Sequence, residues 1–208
     1  MAQYFSLHPT NPQPRLIRQA ADIVRRGGLI AFPTDSAYAL GGKLGEPEVI
    51  NRIRRIRRVD ERHNFTVMCR DLSELGTYAR VDNVQYRLLK ATTPGSYTFI
   101  LEATKELPRR ILNPRRKTVG LRVPDHPVVL ALLQELGEPL LCSTLILPHE
   151  ELPLTDPEDI RERLEHDVDL VIEAGPCGAE ATTVVDLLSG APEVIRAGRG
   201  SLKLLGLE

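Results

Sequence analysis

The chain has 208 residues, of which 42% are hydrophobic and 26% charged, and its formal net charge is −1. This length and composition suit one α/β domain, and we expect a single domain over residues 1–208 with its core at 14–200. No apolar run approaches the about 18 residues of a membrane-spanning helix and no apolar leader opens the chain, so we expect a cytoplasmic protein without a membrane partner.

The near-neutral total hides an uneven distribution of charge. Residues 1–126 contain 22 Lys and Arg against 12 Asp and Glu, whereas residues 127–208 contain 5 against 16. This asymmetry indicates a basic face. Cys69, Cys142 and Cys177 lack the spacing of metal ligands, and the histidines are equally scattered, so we predict reduced thiols and no structural metal.

The first predicted elements are a helix and a short buried strand. Apolar residues recur at helical spacing over residues 16–24, and Gly27 is a typical helix stop. Residues 29–32 form an apolar run between Gly-Gly and Pro33, which ends the predicted strand because proline has no amide hydrogen.

Three small polar residues, Thr34, Asp35 and Ser36, directly follow this strand. Ligands bind at the carboxyl ends of strands in open α/β sheets, and hydroxyls and exposed amides there would suit a carboxylate or a phosphate. A second interpretation is a strand-to-turn corner in which Thr34 and Asp35 cap their own backbone.

The second predicted helix begins at Pro47 and has an apolar face at residues 49–56. Its other face is rich in arginine, without a comparable set of carboxylates three or four positions away. These arginines are Arg52, Arg54, Arg55, Arg57, Arg58 and Arg62. Such clustering costs stability through self-repulsion, so we expect an anionic ligand; a solvated face with snorkelling arginines is the alternative.

A second basic cluster follows further strand and helix signals. Residues 65–69 and 97–101 predict strands, and Asp71 with Glu74 has the spacing of a helix start. The cluster, which Pro114 interrupts, is predicted as a loop or short turn that contacts nucleic-acid phosphates or is simply solvated. It consists of Arg109, Arg110, Arg115, Arg116 and Lys117.

The remaining elements carry one further arginine of interest. Arg122 lies near the carboxyl end of a strand predicted over residues 118–124, and burying it is costly unless it is paired or bound to an anion. We predict that it binds a ligand. Pro127 opens a helix, Asp156 caps another, and strands are predicted over 140–147, 170–172, 183–186 and 194–196.

Five segments, taken in order, resemble the YrdC-like family, the threonylcarbamoyl-AMP synthases of tRNA modification, and come closest to its YciO branch. They are residues 33–41 (PTDSAYALG), 94–99 (PGSYTF), 120–127 (GLRVPDHP), 182–186 (TTVVD) and 194–198 (VIRAG). The resemblance implies an α/β fold with a twisted open mixed β-sheet, flanking helices and a central positively charged cavity.

The resemblance also implies a reaction in which threonine, bicarbonate and ATP give threonylcarbamoyl-AMP and pyrophosphate, with Mg²⁺ on the phosphates. No side chain is expected to act as a catalytic residue. The threonine end would be held by Thr34, Tyr38, Arg122, Thr182 and Thr183. The nucleotide would be held by Arg57, Thr118, Ser143, Thr144 and Arg196.

The sequence departs from the family pattern at two positions. Where the family has K-x-R, Arg57 keeps the first charge but Val59 replaces the arginine. Where the family has S-x-N, Thr144 keeps a hydroxyl but Ile146 replaces the asparagine and offers no polar side chain. These two losses predict weak or altered synthase activity.

Two alternatives follow from the same residues and resemblance. One is a protein that binds tRNA or double-stranded RNA without synthase activity. Its RNA contacts would be Arg54, Arg55, Arg58, Arg109, Arg110, Arg115, Arg116 and Lys117. The other is a hydrolase of a threonylcarbamoyl-type nucleotide.

Overall fold

A computed structural model describes residues 1–112, 116–175 and 177–207. Its strands are β1 (Gln3–Ser6), β2 (Ile30–Phe32), β3 (Ala39–Lys43), β4 (Thr66–Met68), β5 (Tyr97–Glu102), β6 (Thr118–Arg122), β7 (Leu140–Thr144), β8 (Leu170–Glu173), β9 (Thr183–Asp186) and β10 (Glu193–Arg196). Its helices are α1 (Pro14–Arg25), α2 (Pro47–Arg57), α3 (Leu72–Tyr78), α4 (Asn83–Thr92), α5 (Pro127–Leu136) and α6 (Pro157–Leu164). Short 3₁₀ helices occupy Arg109–Ile111 and Lys203–Leu205.

These strands form one open sheet in the order β1-β8-β2-β3-β7-β4-β6-β5-β9-β10. Parallel pairs such as β4 with β6 stand beside antiparallel pairs such as β5 with β6, so the sheet is mixed. The predicted open mixed sheet flanked by helices is therefore confirmed. Within the described ranges, no helix has the length and apolar character needed to cross a bilayer.

Alternation along the strands builds a separate core on each face of the sheet. Successive side chains of a strand point to opposite faces, and Ala31 accordingly belongs to one hydrophobic cluster while Ile30 and Phe32 belong to the other. Apolar residues of α1 and α5 complete the second cluster, and those of α2, α3, α4 and α6 complete the first.

Most sequence-predicted elements are present, and the N-cap at Asp71 is confirmed by a 2.8 Å hydrogen bond from the Glu74 amide to the Asp71 carboxylate. The strand predicted over 140–147 is shorter, because its pairing with β3 ends where Thr144 meets Ala39, the first residue of β3. Beyond that pair, the Leu145 amide donates to the Tyr38 carbonyl, outside the ladder.

Two strands, β1 and β3, were not predicted from the sequence. β1 pairs in parallel with β8, far along the chain. β3 contains Gly41 and Gly42, which are poor strand formers. At Gly41 a Cβ atom would lie 2.8 Å from a ring carbon of Phe32 and 2.9 Å from the Leu141 carbonyl oxygen, so close packing of neighbouring strands requires glycine there.

Strand β5 carries Phe99, a core residue whose truncation we expect to lower the stability of the fold. Phe99 is fully buried and pairs with β6 on one side and β9 on the other. Phe99→Ala should lower the free energy of unfolding by about 3–5 kcal/mol through lost apolar contact and a residual cavity. Urea denaturation measures this loss, and the control Val84→Ala, at a side chain that is 64% exposed, should change stability little. Equal losses in the two variants would contradict the placement of Phe99.

Candidate active site

A cavity of about 520 Å³ draws its walls from the neighbouring strands β3, β7, β4, β6, β5, β9 and β10. The end of α2 and the segment before β4 also contribute to it. Four arginines and one carboxylate line it: Arg57, Arg116, Arg122, Arg196 and Asp186. The cavity is therefore positively charged, as the resemblance implied.

The structure brings most of the predicted substrate and nucleotide residues to this one cavity. Those that line it are Tyr38, Arg57, Thr118, Arg122, Ser143, Thr144, Thr182 and Arg196. Thr34 and Thr183 do not line it. Residues far apart in the sequence thus share one hollow because the strand order places β7, β6, β5 and β9 close together.

Three predicted substrate contacts have hydroxyl groups that are engaged with the protein backbone instead. The Thr34 hydroxyl accepts from the Ser36 and Ala37 amides at 3.1 and 3.2 Å and donates to the Ala37 carbonyl, so it caps its own turn. The Thr183 hydroxyl donates to the Gly200 carbonyl at 2.7 Å. The Tyr38 hydroxyl donates to the Ile172 carbonyl at 3.2 Å. These three hydroxyls therefore have backbone partners, and their contact with substrate stays a prediction.

Arg122 is buried and ion-paired. Its Nη2 lies 2.5 Å from a carboxylate oxygen of Asp35, and both side chains are less than 10% exposed. Asp35 also accepts from the Ser96 hydroxyl at 2.6 Å. Asp35 therefore offsets the charge of Arg122 rather than capping its own turn, while Arg122 Nε is buried without a hydrogen-bond partner among the described residues.

Arg57, at the end of α2, reaches into the cavity and contacts only neutral groups. Its Nε donates to the Ile146 carbonyl at 3.3 Å, and its Nη1 donates to the Ser143 hydroxyl and to His63 Nε2, the latter at 3.0 Å. Ile146, the departure from the S-x-N pattern, thus still contributes its backbone oxygen. The other departure, Val59, does not line the cavity.

The sequence analysis missed His63. Its Nε2 lies 2.9 Å from the Ser143 hydroxyl, and its ring meets Phe65 edge-on at 5.3 Å. Burial and the charges of Arg57 and Arg54 lower the pKa of His63 to about 4, against an opposing effect of Asp60. His63 is thus neutral at pH 7 and its Nε2 accepts from Arg57. Its position between an arginine-rich helix and a strand was the signal available in the sequence.

Arg196, at the end of β10, also contacts neutral groups. Its Nε and Nη2 donate to the Thr182 carbonyl at 3.2 and 2.9 Å. Burial lowers the pKa of Arg196, and burial together with the charge of Arg196 lowers the pKa of Arg57. Among the described residues, neither arginine forms an ion pair. Two partly desolvated cations therefore face one cavity without a balancing carboxylate.

Arg116 and Asp186 form the remaining charged pair. Arg116 Nη1 lies 3.3 Å from the Asp186 carboxylate, which also accepts from the Leu188 amide at 2.9 Å. The Asp186 side chain is 7% exposed and the Arg116 side chain 66% exposed. This pair places a negative charge in the wall of a positive cavity.

The two basic clusters begin at the cavity and continue onto exposed surface. The exposed members are Arg55, Arg58, Arg62, Arg109, Arg110, Arg116 and Lys117. Arg54 is half-buried and lies over the Phe65 ring at 5.8 Å. Arg115 lies outside the described residues. Across the described ranges, no group of three or more His, Cys, Asp or Glu side chains is placed to hold a metal ion.

Comparison with known proteins places the chain in a family. Residues 22–198 match the sequence model of the Sua5/YciO/YrdC family, which is described as "Telomere recombination". The chain belongs to this family. The Sua5/YciO/YrdC assignment confirms the resemblance seen in the five sequence segments.

Individual relatives refine the assignment. Escherichia coli (strain K12) protein YciO is 56% identical over 203 residues, 98% of either chain, and its crystal structure matches with a TM-score of 0.95 over 99% of this chain and 100% of that one. Threonylcarbamoyl-AMP synthase of Bos taurus is 30% identical over 190 residues, 88% of this chain and 67% of that protein. Sua5 of P. abyssi, crystallised with L-threonine, has the same fold at 24% identity, with a TM-score of 0.85 over 94% of this chain and 57% of that one. This Sua5/YciO/YrdC protein is therefore related to the threonylcarbamoyl-AMP synthases.

The lowered pKa of His63 predicts a pH dependence of stability. In the unfolded chain His63 takes up a proton as the pH falls through the ordinary histidine pKa of 6.5. In the folded protein it does so only near its lowered pKa of about 4. Its contribution to stability is thus complete above 6.5 and is lost between 6.5 and 4. Urea denaturation across this window should show wild type losing stability relative to His63→Gln, which cannot titrate. Parallel curves for the two proteins would contradict the prediction.

Proposed function

We propose that this protein binds a nucleotide in the cavity and is a diverged relative of the threonylcarbamoyl-AMP synthases with weak or altered synthase activity. The observation that carries the proposal is the pair Arg57 and Arg196, whose acceptors are all neutral. Partly desolvated like charges cost free energy in an empty cavity, and a bound phosphate removes that cost.

The rest of the cavity supports a nucleotide with a distinct polar end. Apolar side chains that can pack against a base also line it: Ile100, Ile111, Val119, Val184 and Ile195. At the other end, Arg122 is anchored by Asp35 and keeps its Nε unpaired among the described residues. The Ser36 hydroxyl lies 3.3 Å from Arg122 Nη1. In our proposal this end receives the carboxylate of an amino acid such as threonine.

In the synthase reaction the protein would mainly position the substrates and neutralise their negative charge. The threonine amine attacks bicarbonate and water is lost, which gives a carbamate; a carbamate oxygen then attacks the α-phosphorus of ATP and pyrophosphate leaves with the bridging oxygen. Arg57 and Arg196 would stabilise charge on the α-phosphate of the transferred adenylyl group, and Arg122 would orient the amino acid. Magnesium would enter on the phosphates of ATP, since only one carboxylate, Asp186, lines the described cavity.

The two departures support weak or altered activity. Val59 supplies no positive charge where the family pattern has an arginine, and Ile146 supplies only its backbone oxygen, which Arg57 already uses. Each lost charge-assisted contact costs about 1–3 kcal/mol. The triphosphate is thus held by fewer groups than the family pattern provides.

Exposed arginines favour RNA binding as a second candidate function. Arg55 and Arg58 are exposed beside cavity-lining Arg57, and Arg109 and Arg110 are exposed beside cavity-lining Ile111. Two exposed basic groups therefore adjoin the cavity, an arrangement that suits a phosphate backbone with a nucleotide at the mouth. This function is compatible with weak synthase activity.

Removal of either unpaired arginine tests the nucleotide site. Arg57→Gln and Arg196→Gln should each weaken binding of AMP and of Mg-ATP by about tenfold or more, since each loses a charge-assisted contact. Isothermal titration calorimetry measures the dissociation constants. Arg55→Gln, an exposed position on the same helix, is the matched control and should bind as wild type does. Equal affinities in all four proteins would place the nucleotide elsewhere.

The synthase reaction has its own test. With ATP, Mg²⁺, threonine and bicarbonate, we expect slow pyrophosphate release that depends on both threonine and bicarbonate, because the triphosphate grip is reduced. An enzyme-linked pyrophosphate assay measures the rate. A rate equal to that of a threonylcarbamoyl-AMP synthase tested in parallel would show that Val59 and Ile146 do not lower synthase activity.

RNA binding predicts a characteristic salt dependence. Retention of tRNA in a filter assay should fall steeply as salt rises, because phosphate contacts release counterions. The double variant Arg109→Gln, Arg110→Gln should bind more weakly and with a shallower salt slope. The control Arg15→Gln, Arg18→Gln, on exposed positions of α1, should leave both unchanged. Retention of tRNA that does not change with salt concentration, or equal effects of both double variants, would exclude this surface as the RNA-binding site.

A further inference from the structure

The charged groups of the cavity leave two positive charges unbalanced. Arg122 is paired with Asp35, and Arg116 with Asp186. Among the described residues, the hydrogen-bond partners of Arg57 and Arg196 are carbonyl, hydroxyl and imidazole groups. His63 adds no charge at neutral pH, because it accepts a hydrogen bond from Arg57.

Each of these two arginines has few N–H donors that are not already engaged with the protein. Backbone carbonyls hold each guanidinium through its Nε, and the other bonds engage Nη1 of Arg57 and Nη2 of Arg196. Within the described residues, Nη2 of Arg57 and Nη1 of Arg196 donate to no side chain or carbonyl. One outer nitrogen on each guanidinium therefore remains for a ligand.

We infer that this phosphate site accepts a ligand of two negative charges with a single phosphoryl group, of the nucleoside monophosphate class, in preference to a metal-free nucleoside triphosphate. The inference rests on the nucleotide site proposed above and names its ligand class. Two guanidinium charges balance the dianion of a monophosphate. A triphosphate adds about two more negative charges, which would lie in a cavity whose wall holds the Asp186 carboxylate.

Asp186 is the specificity-determining residue in this arrangement. Its carboxylate is 7% exposed, and among the described residues its arginine partner is Arg116, whose side chain is 66% exposed. A buried carboxylate repels additional phosphate groups more strongly than water-exposed Arg116 attracts them, since solvent screens the exposed cation. Mg²⁺ bound to ATP would remove part of this repulsion.

Calorimetric titration of the full chain with AMP and with ATP, both in EDTA, tests the inference. We expect AMP to bind about tenfold or more tightly than ATP, and Mg²⁺ to narrow the difference. ATP that binds as tightly as AMP in EDTA would overturn the inference and leave the proposed nucleotide site intact. If neither nucleotide binds the folded protein, the proposed site itself fails, and the inference with it.

A charge-neutral variant isolates the role of Asp186. Asp186→Asn keeps an acceptor oxygen for the Leu188 amide but removes the negative charge, so it should raise ATP affinity in EDTA several-fold more than AMP affinity. Asp159→Asn, on exposed α6, is the control and should change neither. An unchanged ratio of ATP to AMP affinity in Asp186→Asn, with the fold verified by circular dichroism, would remove Asp186 from this role. Should Asp186→Asn not fold, the wild-type titrations still decide the ligand class.

Discussion

The functional architecture depends on two arginine side chains that are held in one cavity by neutral acceptors. The carbonyls of Ile146 and Thr182 fix the guanidiniums of Arg57 and Arg196, and no described carboxylate offsets their charge. Burial and the charge of Arg196 lower the pKa of Arg57, but an arginine stays charged at neutral pH. The fold therefore bears an electrostatic cost that an anionic ligand would relieve.

The sheet makes this arrangement possible because chain segments next to its strands carry the backbone carbonyls that accept hydrogen bonds from the guanidiniums. Arg57 meets Ser143 across 86 residues of sequence, and Arg122 meets Asp35 across 87. The second pair is neutralised and buried, so it stabilises the wall, whereas the first contact leaves its charge unbalanced. Identical side chains thus have different consequences within one cavity, according to whether a carboxylate or a neutral oxygen faces them.

Family membership and site chemistry answer different questions about this protein. The Sua5/YciO/YrdC family model matches residues 22–198, which include strands β2 to β10, and the chain is about 30% identical to threonylcarbamoyl-AMP synthases. The fold does not by itself specify the reaction. The family pattern that the sequence resembles has polar side chains at the positions of Val59 and Ile146, and here Ile146 offers its backbone carbonyl to Arg57 but no polar side chain.

Much of the fold and of the cavity lining could be predicted from the sequence. Hydrophobic periodicity, proline at helix starts and the Asp71 cap are local signals, and they located α1, α2 and α3. The two strands that were missed had no such signal. β1 depends on a distant partner, β8, and β3 contains glycines that only the neighbouring strands explain.

The sequence by itself determined the family, most of the helices and strands, and the two clusters of arginine. Only the tertiary structure decided which of those arginines is paired, that the Thr34, Tyr38 and Thr183 hydroxyls bond to backbone, and that His63 belongs to the site. The physical reason is that helix and strand signals act over a few residues. Hydrogen bonding and charge pairing depend instead on distances of about 3 Å between atoms that chain folding brings together from far apart in the sequence.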